Sequence, residues 1–162
     1  MRQHDKLINA AAKKVLSPHG LFRKGTSRTW VDDNGYFVVF VSFGSSNWSQ
    51  SARLGVGIDF LWKYDSGGPS TSFSYSYGNS SIEDFFEYDG NDAVFQTEME
   101  RYSEIGLQKV IEYRNFRDMS YAKRCLTQQV FNTPENSRFW ENYHLAMLCF
   151  LKGDYEDRKS VV

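Results

Sequence analysis

The sequence has few cysteines, no long apolar run and no apolar leader. Cys125 and Cys149 are the only cysteines among 162 residues, which is too few for a disulfide framework. No apolar run approaches the roughly 20 residues that a membrane-spanning helix needs, and the first residues lack the apolar core of a secretory signal. We therefore expect a cytoplasmic protein that has no membrane partner.

Motifs of the common enzyme classes are also absent. The chain has no GxSxG, no P-loop sequence and no GxGxxG between a strand and a helix. The three histidines, His4, His19 and His144, fall in different elements without metal-ligand spacing. Neighbouring acids such as Asp32 and Asp33 are typical of turns and helix caps. We expect no catalytic residues, no metal and no cofactor.

Charge is balanced overall but unevenly distributed. The formal net charge is -1, which argues against nucleic acid as a partner because non-specific binding to phosphates requires a basic surface. Residues 1–78 carry 9 Lys and Arg against 5 Asp and Glu, whereas residues 79–162 carry 10 against 15. The second half is therefore the acidic one.

Hydrophobic periodicity predicts a helix followed by a sheet. Leu7, Ile8 and Ala11 begin an apolar stripe at helical spacing, which predicts a helix over residues 3–16. Asn34-Gly35 predicts a hairpin turn. Gly55 and Gly57, inside a strand-like run, indicate a bulge or a close backbone approach. Four antiparallel strands are predicted, at residues 27–32, 36–43, 52–64 and 73–77.

After Gly78 the pattern becomes helical. The serines that follow Asn79 could cap a helix with acids in its first turn. Further helices are predicted at residues 92–114, 116–130 and 134–151, the last after the start signal Thr133-Pro134. The predicted fold class is α+β in a single domain, residues 1–162. Residues 1–78 form the N-terminal helix and an antiparallel meander of about four strands, and residues 79–162 form a helical portion packed on the sheet.

One segment combines acids with aromatics and is the first candidate site. Between residues 83 and 104 there are eight acids and a single base, Arg101. Such a surface could dock a basic protein, with charges that speed association and aromatics that anchor it. The alternative is a solvated helix start. The candidate contact residues are Glu83, Asp84, Phe86, Glu87, Tyr88 and Asp89.

A second candidate site is a pocket between the sheet and the helical portion. Four aromatic side chains in or next to the predicted strands could line it: Trp30, Tyr36, Trp62 and Tyr75. With such a pocket the chain would be a small-molecule-binding protein or an enzyme. The sequence leaves the two sites open as alternatives.

A run of fold-bearing positions carries a family resemblance. The run comprises residues 16–20 (Leu-Ser-Pro-His-Gly), residues 21–25 (Leu-Phe-Arg-Lys-Gly), a strand with Trp30, the Asn-Gly hairpin, the strand 37–43 and residues 55–58 (Gly-Val-Gly-Ile). Over residues 5–62 the chain resembles the bacterial family catalogued as domain of unknown function four-three-zero-four. It departs from that pattern at Leu21, where the family tends to have Gly directly before Phe.

The resemblance implies an α+β fold and supplies no catalytic residues. Small bacterial domains of this kind are similar in build to immunity proteins, which neutralise a toxin by binding it. Our leading expectation is therefore a non-catalytic protein-binding domain of the immunity type, with a basic toxin domain as its partner. The sequence gives no indication of oligomeric state.

Overall fold

The computed structural model describes residues 2–62 and 75–154. Contacts divide the chain into two compact units, Met1–Tyr113 and Arg114–Val162. Within the described residues the first unit contains α1 (Gln3–Leu16), β1 (Phe22–Arg23), β2 (Thr29–Asp33), β3 (Phe37–Gly44), β4 (Ser51–Phe60), β5 (Tyr77–Glu87) and α2 (Asp92–Tyr113). The second contains α3 (Met119–Asn132) and α4 (Phe139–Lys152). The α+β fold class is confirmed.

Helix α1 has the bounds that its apolar stripe predicts. Leu7, Ile8 and Ala11 are buried, and α1 packs chiefly against α2. The 3-10 turn Ser17–His19 follows, and Gly20 then adopts a φ of +90°, which a residue with a side chain rarely adopts. The end of α1 at Leu16 thus agrees with the predicted range of residues 3–16.

The strands form an antiparallel meander in the order β1-β2-β3-β4-β5. The hairpin predicted at Asn34-Gly35 joins β2 to β3, with Gly35 at a φ of +86°. The Asp33 carboxylate accepts a hydrogen bond of 3.0 Å from the Gly35 N–H, which fixes the turn. Asp32 is buried, and its carboxylate accepts a hydrogen bond of 2.8 Å from the Asn34 side-chain amide.

One face of the sheet packs against α2. Gly106 of α2 lies so close to the sheet that a Cβ there would be 2.9 Å from Val41 Cγ1. Because side chains alternate along a strand, the residues of β3 and β4 that share this face follow from the pairing register. They are all buried: Phe37, Val39, Val41, Phe43, Leu54, Val56, Ile58 and Phe60.

The opposite face carries a smaller apolar cluster of Val31, Val38 and Phe40. Tyr75 packs on this cluster and crosses Gly57, where a Cβ would lie 2.1 Å from Tyr75 Cγ. The close backbone approach predicted for the glycines of β4 is therefore confirmed at Gly57. Between β4 and β5 the register shifts twice, on either side of Leu54.

The prediction of a helix after Gly78 was wrong. Residues Tyr77–Glu87 form β5, which pairs with β4 through Ser51↔Glu87 at one end and Ile58↔Tyr77 at the other. Acids after a serine resemble a helix start, and the two register shifts break the alternation that would have indicated a strand. Of the strand predicted at residues 73–77, residues 73 and 74 lie outside the described residues, and Tyr77 is the first residue of β5.

The second unit contains two helices, α3 and α4, that pack against each other. Asp118 caps α3, because its carboxylate accepts hydrogen bonds from the backbone N–H groups of Ser120 and Tyr121 at 2.8 and 3.4 Å. Gly153 ends α4 at a φ of +84°. The helix predicted at residues 134–151 begins later, since Pro134 is followed by a 3-10 turn at Glu135–Ser137.

Candidate protein-binding surface

The predicted contact residues do not share one surface, because β5 divides them between two faces of the sheet. Phe86 pairs with the buried Ala52 on the face that packs against α2. Glu87 pairs with the next residue along, Ser51, and therefore lies on the opposite face. The segment thus separates into residues that hold α2 and residues that remain exposed.

Glu83 belongs to the first group. Its carboxylate lies 2.9 Å from the Arg101 guanidinium, which also lies 2.6 Å from the Glu98 carboxylate. These partners raise the pKa of Arg101, with Glu98 the stronger influence. Much of the negative charge of Glu83 is therefore neutralised within the unit. The single base of the segment serves a structural role that its position in the sequence did not reveal.

Phe86 and Tyr88 also pack against α2. Their rings lie 6.0 and 5.3 Å from the ring of Phe95, which is buried. The Tyr88 hydroxyl donates a hydrogen bond of 2.5 Å to the Asp92 carboxylate at the start of the helix. This hydrogen bond raises the pKa of Tyr88, because the acceptor carboxylate favours the protonated phenol.

The remaining acids form what we call the acidic strip: Asp84, Glu87 and Asp89. All three are exposed, and none makes an ion pair with a described residue. Asp84 is held in place through its backbone, because its carbonyl accepts a hydrogen bond of 2.7 Å from Tyr102. The strip therefore presents negative charge that other described residues leave without a counterion.

Aromatic surface accompanies the acidic strip. Phe85 is 45% exposed, and the Arg53 guanidinium lies over its ring at 5.2 Å. An open groove of about 460 Å³ runs between β5 and the first turns of α2. The groove is lined by Phe86, Ala93, Val94, Thr97 and Glu98. Val94 is half exposed, so an apolar side chain of a partner would find contact area there.

A partly buried cluster of polar side chains lies next to the ring of Tyr88. His4 is 1% exposed, and its ring stacks on that of Tyr88 at 6.3 Å. Arg28 lies 2.6 Å from His4 Nε2 and 2.6 Å from the Asp5 carboxylate. Burial, followed by the charge of Arg28, lowers the pKa of His4. The spacing of His4 with Leu7 and Ile8 could have placed it on the buried stripe.

The four residues of the predicted pocket lie in three places. Trp30 is 3% exposed and pairs with Val41 on the face of the sheet that α2 covers. Tyr75 lies on the opposite face. Tyr36 and Trp62 are brought together, with their rings stacked at 5.8 Å, and Phe60 lies 4.5 Å from Trp62. Only this aromatic stack could contribute to a common site.

Metal ligands do not converge within residues 2–62 and 75–154, where no three His, Cys, Asp or Glu side chains are placed to hold an ion. His144 is buried in α4, next to the ring of Trp140 at 6.1 Å. Cys149 is buried in the same helix. These residues are accounted for by packing.

Fold and surface together define an α+β domain with an exposed acidic and aromatic strand end. A scan against protein-family models finds no match for the chain, and searches of curated proteins and of solved structures also find none. The family resemblance therefore rests on the residues quoted for it. Among the helices of the described residues, none has the length and apolar character required to cross a membrane.

Proposed function

We propose that this chain is a non-catalytic protein-binding domain that docks a basic protein surface against the acidic strip. The observation that carries the proposal is the exposure of Asp84, Glu87 and Asp89 without ion pairs to other described residues, in and just after the strand whose Phe86 lines the groove. Uncompensated carboxylates attract an oppositely charged surface, and a nearby apolar groove supplies contact area.

In its most concrete form, the proposal is an immunity-type protein that acts in the cytoplasm. Its partner would be a basic toxin domain, neutralised when the acidic strip covers a surface that the toxin requires. The resemblance over residues 5–62 and the small α+β build support this form. Fold alone does not fix function, so the identity of the partner must come from experiment.

Electrostatic steering gives the proposal a kinetic signature. Exposed charges mainly accelerate encounter, typically by about tenfold or more at low ionic strength. Their influence decays over roughly 10 Å at 0.1 M salt. We therefore expect association to slow as salt rises, while the dissociation rate changes little.

The first experiment is affinity capture of the tagged chain from its native cytoplasm at low and moderate salt, with mass spectrometric identification of what stays bound. The captured protein is then purified and its association kinetics are measured. If the partner is a toxin, expressing it alone should arrest growth and expressing it with this chain should not. Growth arrest in both cases would contradict the immunity form of the proposal.

Charge reversal at the acidic strip tests the surface itself. Asp84→Lys with Glu87→Lys should slow association roughly tenfold at low salt and weaken its salt dependence. The matched control is Glu104→Lys with Glu112→Lys, which changes the net charge equally at exposed positions of α2. These control positions lie about 18 and 30 Å along the helix from Asp92. Equal slowing by both variants would contradict this assignment of the binding surface.

The aromatic stack favours a second candidate function, small-molecule binding. Tyr36, Phe60 and Trp62 present nearly parallel rings, with 5° between Tyr36 and Trp62 and 6° between Phe60 and Trp62. Such a stack could hold a flat ligand. The test is native mass spectrometry of the protein purified from its own cytoplasm, compared with Trp62→Ala. A small molecule that is retained by the parent and lost in the variant would support this function.

A further inference from the structure

The loop between β3 and β4, at residues 45–50, exposes a tryptophan almost completely. Trp48 is 96% exposed. Its backbone N–H donates a hydrogen bond of 3.0 Å to the Ser46 hydroxyl, and Ser49 and Ser51 hydroxyls are joined at 3.0 Å. Hydrogen bonds of serine hydroxyls thus hold the loop that carries the Trp48 indole.

This loop is joined to the end of the acidic strip. The Tyr88 backbone N–H donates a hydrogen bond of 2.7 Å to the Gln50 carbonyl, and Ser51 pairs with Glu87. Trp48 is three residues before Ser51, so the Cα atoms of Trp48 and Ser51 are at most about 11 Å apart. A standard interface covers about 800 Å² per partner, a patch roughly 30 Å across. An interface of that size is therefore large enough to include both Trp48 and Glu87.

An exposed tryptophan and an exposed carboxylate on two segments joined by a backbone hydrogen bond suit one chemical group, the guanidinium of arginine. The indole face attracts a cation, and a planar guanidinium can stack on it while its N–H groups pair with a carboxylate. The first unit contains an internal example. Arg101 lies over the ring of Tyr102 at 5.1 Å while it pairs with Glu83 and Glu98.

We propose that Trp48 and Glu87 together recognise an arginine side chain on the partner. The inference rests on the proposed protein-binding function and names the chemistry of the partner's contact segment. The guanidinium stacks on the Trp48 indole and pairs with the Glu87 carboxylate. Lysine fits less well, because its ammonium is compact, strongly hydrated and cannot stack as a plane.

The test uses a short peptide with two arginines between glycines, and the same peptide with lysines. Indole N–H and backbone amide signals of the isotope-labelled chain are followed by NMR at low ionic strength. The arginine peptide should produce saturable shifts of the Trp48 indole and the Glu87 amide, and the lysine peptide should bind roughly two- to fivefold more weakly. The indole of Trp140, 52% exposed in the second unit, is the internal control and should not shift.

Trp48→Ser and Glu87→Gln should each remove the saturable shift. Both positions are exposed, so an unchanged amide spectrum elsewhere is expected and verifies folding. The proposal is overturned if the arginine peptide gives no saturable shift, if Trp140 responds equally, or if lysine binds as well as arginine. In those cases the charge-reversal experiment on the captured partner still decides the protein-binding function separately.

Discussion

Replacing Gly57 with alanine tests the packing of Tyr75 across the sheet. The new Cβ would lie 2.1 Å from Tyr75 Cγ and 2.6 Å from Tyr75 Cβ, far inside the roughly 3.5–4 Å of a normal carbon contact. The clash includes Tyr75 Cβ, which does not move when the side chain rotates. A change of rotamer therefore cannot relieve it. Tyr75 would have to leave the cluster of Val31, Val38 and Phe40.

The magnitude follows from what Tyr75 buries. Truncation of a fully buried large aromatic costs about 3–5 kcal/mol, and Tyr75 is half-buried, so we expect a cost of about 2 kcal/mol for Tyr75→Ala. Gly57→Ala should cost a similar amount, since it displaces the same ring. In the double variant the clash with the ring is gone and only the 2.6 Å contact between the two Cβ atoms remains, while alanine in a strand is worth about 0.5–1 kcal/mol over glycine. Gly57→Ala should therefore cost less in the Tyr75→Ala background than in the parent chain.

The assay is the free energy of opening from hydrogen exchange of β4 amides, measured for all four members of the cycle. Tyr75→Phe is the matched control. It keeps the ring and removes only the hydroxyl, so Gly57→Ala should remain destabilising in that background. Additive costs in the alanine cycle would refute the reasoning, because they would mean that the two positions do not touch.

Three further predictions concern caps and titrating groups. Asp118→Ala should destabilise α3 by about 1 kcal/mol through loss of the cap, measured by hydrogen exchange of the α3 amides. Since the pKa of His4 is lowered in the folded state, the unfolded chain binds the proton more tightly, and stability should fall as pH drops below about 6.5. His4→Gln should reduce that dependence in urea titrations at several pH values, and an unchanged dependence would show that burial and Arg28 do not disfavour protonation of His4. Burial raises the pKa of Tyr113 to about 12, so Tyr113→Phe should remove a phenol that ionises near pH 12 in an ultraviolet titration.

Local signals in the sequence predicted much of the first unit. The apolar stripe gave the bounds of α1, Asn34-Gly35 located the β2–β3 hairpin, and Gly57 marked a close approach. Each of these depends on residues close together in the chain, where spacing and backbone preference decide the outcome. The α+β class followed from these local features.

The candidate site was less predictable, because the face on which each β5 side chain lies is set by pairing with β4 and not by local sequence. Glu83 and Phe86 face α2, but two register shifts hide the alternation that would have separated them from Glu87. The pairing of Glu83 with Arg101 spans 18 residues and has no local signature. Trp30 and Tyr75 were grouped by type, although the sheet places them on opposite faces.

The packing of α1 on α2 bears on how the chain folds as the ribosome makes it. Lys14 and Glu100, joined at 2.7 Å, are 86 residues apart, and Gln3 and Asp92 are 89 apart. At about 5–20 residues per second, synthesis of the intervening chain takes roughly 4–17 s. Throughout that interval the apolar side of α1 has no helical partner, which makes the nascent chain a substrate for a holding chaperone.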